Sequence, residues 1–140
     1  MSRNFPLSGL LRLRELQESK AAGELAAANQ ALRGGQASMR NVREAAADTE
    51  QYPVDGATML AAAAARASTG SMLLELEATL ETLNAGALAA NRAHQRARSQ
   101  VKALEKLSDK HASELRLQDL GREQALLDDL GSIGSRGRNG

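Results

Sequence analysis

Cysteine and tryptophan are absent, phenylalanine and tyrosine occur once each, and valine and isoleucine together supply only four of the 140 residues. Each shortage excludes something. Without cysteine there is no disulfide framework, no thiol nucleophile and no thiolate-bound zinc. Strands draw on β-branched and aromatic side chains, so a chain this poor in both is not built on sheets. Charge of one sign is also missing: 18 basic against 17 acidic residues leave a formal +1, not the cationic surplus that nucleic-acid binding needs. The longest uninterrupted apolar run, Met59 to Ala65, falls far short of the roughly 18 residues of a membrane span, so no direct membrane insertion is expected. Near the N-terminus the apolar residues are interrupted by Arg12, Arg14 and Glu15, unlike a signal-peptide core.

What is present is alanine, at 27 residues, and leucine, at 22. With Arg, Glu and Gln these are the strongest helix formers, and they predict an all-α chain. Alanine is too small to fill a compact core, which favours an elongated helical assembly over a globule. The clearest break is Tyr52-Pro53-Val54-Asp55-Gly56, where proline disfavours helix at the residue before it and Asp-Gly is turn chemistry. Asp55 or Thr58 can cap the helix that follows. From Ser132 the chain is polar and rich in glycine, which reads as a disordered tail. The expected organisation is one domain over about residues 1–131: a helix over about 6–51, a turn at 52–56, a helix over about 57–130, then the tail at 132–140. Gly34-Gly35 and the Ser68 to Ser71 stretch are weak points, and a third helix starting near Arg40 is the structural alternative.

The second helix carries a heptad stripe of apolar or small residues, the mark of a coiled coil: Leu73, Leu76, Leu80, Leu83, Ala87, Ala90, His94, Ala97, Val101, Leu104, Ser108, His111 and Leu115. A weaker stripe runs along the first: Leu7, Leu11, Arg14, Glu18, Ala21, Leu25, Ala28, Leu32, Gly35, Met39 and Val42. Folding the chain back at about residue 54 pairs residues whose numbers sum to about 108, and stripe then meets stripe. Leu7 faces Val101, Leu25 faces Leu83, Ala28 faces Leu80, Leu32 faces Leu76, and Arg14 faces His94. A slip of a whole heptad matches as well. The fold expected is a two-helix antiparallel coiled-coil hairpin with a longer second helix. In this pairing Leu104, Leu107, Leu115, Leu117, Leu120, Leu126, Leu127 and Leu130 extend past the first helix, and Phe5, Leu10 and Leu13 lie off its stripe. Apolar surface of that extent marks an interaction site, for a partner or for self-association into a longer bundle.

Catalytic chemistry has no foothold. There is no P-loop, no G-x-G-x-x-G and no H-E-x-x-H. His94 and His111 occupy core positions of the stripe, where polar residues tune register, and no further metal ligands accompany them. Arg92, Arg96, Arg98 and Lys102 are diluted by neighbours such as Glu105. No enzyme activity, cofactor, metal or nucleic-acid partner is expected.

The opening run Phe5-Pro6-Leu7-Ser8-Gly9-Leu10-Leu11-Arg12-Leu13-Arg14-Glu15 resembles the start of the flagellar export protein family FliJ. The run Arg122-Glu123-Gln124-Ala125-Leu126-Leu127-Asp128-Asp129-Leu130 is similar to the acidic pattern near the end of that family. The resemblance covers about residues 3–131. It implies a non-catalytic, cytoplasmic coiled-coil stalk of the flagellar type III export apparatus, peripheral at the inner face of the cell membrane. Its implied partners are the export ATPase hexamer, the membrane export gate protein and export chaperones. The residues it marks for the ATPase are Phe5, Leu7, Leu10, Leu11, Leu13, Leu120, Glu123, Leu127 and Asp128. For the gate it marks the hairpin end around Tyr52 and Met59. The competing expectation is a self-assembling coiled-coil scaffold or adaptor with no ATPase partner. This chain departs from the family in its scarcity of aromatics, in Ala61 to Ala65 near the turn, and in Gly34-Gly35.

Overall fold

A computed structural model describes residues 4–48 and 55–138. Among them are two helices, α1 (Ser8–Asp48) and α2 (Gly56–Arg138), and no strand. The chain is all-α, a two-helix antiparallel coiled-coil hairpin whose second helix is the longer. Pro6 lies just before α1. α1 runs unbroken through Gly34 and Gly35 and α2 through Ser68 to Ser71, so no third helix starts at Arg40. A helical glycine costs about 1 kcal/mol relative to alanine, which flanking Leu, Ala and Gln outweigh. The expected turn lies outside the described residues except for Asp55 and Gly56. At the other end α2 does not stop near 130 but continues to Arg138, into the stretch expected to be a tail. Neither Gly131 nor Gly134 takes the positive φ that ends a helix.

The start of each helix has a local cause. The Ser8 amide donates to the Phe5 carbonyl at 3.0 Å and the Leu11 amide to the Leu7 carbonyl at 2.9 Å, around a Pro6 whose fixed φ suits a helical entry. At α2, the Thr58 amide donates to Asp55 Oδ1 at 2.8 Å, and the Asp55 amide donates back to Thr58 Oγ1 at 2.9 Å. Two orphan amides are thereby satisfied reciprocally. The Thr58 hydroxyl, then the Thr58 amide, hold the Asp55 carboxyl below its ordinary pKa.

Contacts divide the chain into two units: a middle unit, Gln17–Ala97, and a terminal unit made of Met1–Leu16 with Arg98–Gly140. In the middle unit Ala21, Met39, Ala87 and Ala97 are buried; in the terminal unit Val101 and Leu104 are. Every stripe position of α2 from Leu73 to Leu115, and every one of α1 from Leu11 to Val42, is buried or half-buried. Leu7 is the exception and is exposed. It precedes Ser8, where helical spacing does not yet apply, and Phe5 and Ser8 are half-buried instead.

The pairing is one heptad away from that of the fold at residue 54. In the middle unit Gly35 lies against Leu80 and Leu83. Leu25 and Asn29 share a groove with Ala87 and Asn91, and Ala46 shares one with Thr69 and Gly70. In the terminal unit Arg14 Nη1 donates to Gln100 Oε1 at 3.0 Å, and the Phe5 ring meets the His111 ring. Facing numbers therefore sum to about 115, not about 108. Leu32 does not face Leu76, nor does Ala28 face Leu80. The layers explain the choice. The rejected register sets Arg14 on His94 and Val42 on Arg66. By the same arithmetic the adopted one separates Arg14 from His94, setting them opposite Val101 and Ala21, and brings Leu11 opposite Leu104, Met39 opposite Leu76 and Val42 opposite Leu73, layers that can bury more apolar surface.

Candidate functional site

Because α1 pairs further along α2, the uncovered end of α2 is shorter than the sequence suggests. Leu104 is not part of it: the side chain is 8% exposed, packed in the terminal unit's core. What stays open there is a set of leucines on both chain segments. Leu10 and Leu13 are 38% and 48% exposed, and Leu120 and Leu127 are 60% and 62% exposed. The helical period explains why. Leu11 and Arg14 fall on the face toward α2, so Leu10 and Leu13 are turned off it. On α2 the half-buried positions end at Leu115 and Asp119, beyond which residues 120–134 are all exposed.

The remaining expected residues sort by role. Leu11 is half-buried on the inter-helix stripe, so it packs α1 on α2. Phe5 is half-buried with its ring centroid 5.7 Å from that of His111, the planes tilted by 52°. Leu7 lines an open groove with Phe5, Pro6, Leu107, Lys110, His111 and Glu114. That groove sets an apolar floor between one cation and one carboxylate. Glu123 and Asp128 are exposed, and Asp128 Oδ1 accepts from Gln124 Nε2 at 3.3 Å, one helical turn away. All nine residues marked for the ATPase thus belong to the terminal unit. Met59, marked for the gate, is exposed at the start of α2 in the middle unit; Tyr52 lies outside the described residues.

Six exposed large apolar side chains of the same unit escaped that selection: Leu16, Leu107, Leu117, Leu126, Leu130 and Ile133. Ile133 was hidden by the expectation of a tail from 132, although Leu126, Leu130 and Ile133 follow helical spacing. Leu16 follows Leu13 by three positions on the same open side. The arrangement offers apolar contact area flanked by charge. Among the described residues no group of His, Asp and Glu is placed to hold a metal ion, and no helix is long and apolar enough to cross a membrane.

A family model described as the flagellar FliJ protein matches residues 2–140. No curated protein and no solved structure matches the chain.

Proposed function

The chain belongs to the flagellar FliJ protein family, and from that membership, which makes it a flagellar export-related protein, we propose that it is the non-catalytic coiled-coil stalk of the export apparatus. The terminal unit docks in the ring of the export ATPase. Leu7, Leu10, Leu13, Leu120 and Leu127 supply the apolar contacts, Glu123 and Asp128 the polar rim. Phe5 and Leu11 act from behind, by fixing the N-terminal segment against α2. The observation that carries this reading is the run of exposed leucines on both segments of one unit. An isolated helix end gains nothing from keeping Leu120 and Leu127 in water, whereas burial of each against a partner is worth about 1.5–3 kcal/mol. The hairpin end around Tyr52 and Met59 reaches the membrane export gate and links it to the ATPase, and export chaperones are escorted in the same assembly at the inner face of the membrane.

The test is ATP hydrolysis by the hexameric export ATPase with and without the full chain. Stimulation is expected, and Leu10→Asp or Leu127→Asp is expected to abolish it while helicity is retained, because both side chains face water in the free protein. An ATPase indifferent to the wild-type chain would overturn the docking.

A further inference from the structure

α2 is apolar on two sides. Leu73, Leu76, Leu80 and Leu83 lie on the face toward α1 and are half-buried. A second series begins at Leu60 and steps by four and three residues through Ala67, Leu74 and Ala78 to Leu88, on the side away from α1, with Glu81 the one charged residue on it. All five are exposed, Leu60 by 74%, Leu74 by 69% and Leu88 by 51%. Charge on the stripe is confined to Glu81, and from Gly56 to Leu74 the only charged residue is Arg66, which lies off it. A helix with two opposed apolar stripes is one that packs on both sides, and α1 occupies one of them.

The spacing of the outer stripe specifies its occupant. A repeat of about 3.5 residues is read by another α-helix, since only a helix keeps such a seam in contact over several turns. Laid antiparallel against its own copy, with facing numbers summing to about 145, the stripe is self-complementary. Leu60 meets Ala85, Leu74 meets Ser71 and Leu88 meets Ala57, while Ala67 meets Ala78. Every large side chain falls opposite a small one, Glu81 opposite Ala64 included, which lets two helices approach closely and leaves the Glu81 carboxylate room to reach the rim. Charge selects the same direction. Glu75, Glu77 and Glu81 cluster in the second half of the segment, and the antiparallel arrangement brings them to the half holding Arg66 and no carboxylate beyond Asp55. A parallel pair stacks the three glutamates on their own copies, which is unfavourable.

We propose that the outward face of α2 from Ala57 to Leu88 is a homodimer interface, in which two copies of the chain pack antiparallel about a twofold axis beside Met72. It uses no residue of the terminal unit and so stands apart from the ATPase docking proposed above, while Met59 of the gate-facing end lies within its span.

Sedimentation equilibrium of the full chain is expected to show a monomer–dimer equilibrium. Leu74→Glu, exposed in the monomer and buried with a charge in the dimer, is expected to raise the dimer dissociation constant about tenfold or more, with helicity by circular dichroism unchanged. Ala78→Glu serves as a second variant. Orientation is read by cross-linking, since every introduced cysteine is the only thiol. Leu60→Cys chains mixed with Ala85→Cys chains are expected to form the mixed disulfide on oxidation, and Leu60→Cys chains alone are not. A strictly monomeric chain, a dimer insensitive to both glutamate variants, self-cross-linking of Leu60→Cys, or a dimer dissolved by Leu127→Asp instead would each overturn the interface.

Discussion

Gly34 and Gly35 are neighbours in sequence and different in kind. A Cβ on Gly34 meets nothing within 4 Å, whereas one on Gly35 falls 2.9 Å from Leu83 Cδ1 and 3.0 Å from Leu80 Cδ2. Gly34 is therefore an unused cost to the helix, and Gly35 is the space into which two leucines of α2 fit. Gly34→Ala is expected to stabilise the protein by about 1 kcal/mol, the propensity difference alone. Gly35→Ala gains the same propensity but must push the flexible ends of two half-buried leucines, an overpacking cost of about 1 kcal/mol, the low end of the range for well-packed cores. The measurable quantity is the difference between the two variants in urea unfolding, with Gly35→Ala the less stable by that cost. Equal stabilities would mean that the leucines swing aside freely and that Gly35 has no packing role. The same distinction separates Leu10 from Leu11: one position of helical rotation turns an exposed side chain into a half-buried one.

Heptad stripes define which face of an element is buried but not which layer meets which. Both stripes here were legible from leucine and alanine spacing, and the burial follows them from Leu11 to Val42 and from Leu73 to Leu115. The register was not, because a pattern repeating every seven residues is unchanged by a slip of seven. Locating the bend at Pro53 fixed the fold-back to within a heptad and no better. What separates the two registers is the content of particular layers, above all whether Arg14 meets His94 and Val42 meets Arg66. Consequences for the candidate site were direct: one heptad moved Leu104 from an expected free end into the core. The exposed leucines at 120 and 127 were legible because no register supplies them with a partner, while Ile133 was masked by a glycine-rich context that the helix tolerates. The adopted register is tested by engineered disulfides in the middle unit. Ala28→Cys with Ala87→Cys, whose numbers match the observed pairing, is expected to close within one chain under oxidation, and Ala28→Cys with Leu80→Cys is not. The reverse result would restore the other register.

For the whole molecule the deciding quantity is surface. A globular chain of 14.8 kDa exposes about 7,000 Å², and its unfolded form about 21,000 Å². This chain exposes 10908 Å² when folded, so it buries about a quarter less on folding than a globule of its mass. Among the described residues only six hydrophobic residues are buried, three of them alanines. The heat capacity of unfolding follows apolar exposure, at about 12–15 cal/mol/K per residue for globular proteins, or about 1.7–2.1 kcal/mol/K at this length. The expected value here is at or below about 1.5 kcal/mol/K, measured by calorimetry at dilutions where the chain is monomeric. The number bears on function as well as stability. Leucines left in water by the free chain are what a docking partner can cover, and their burial on binding is the source of both affinity and a raised unfolding temperature. A monomer with the heat capacity of a full globule would mean that these side chains are already covered by their own chain. The physical reason for expecting either the ATPase ring or a second copy to bind would then be gone.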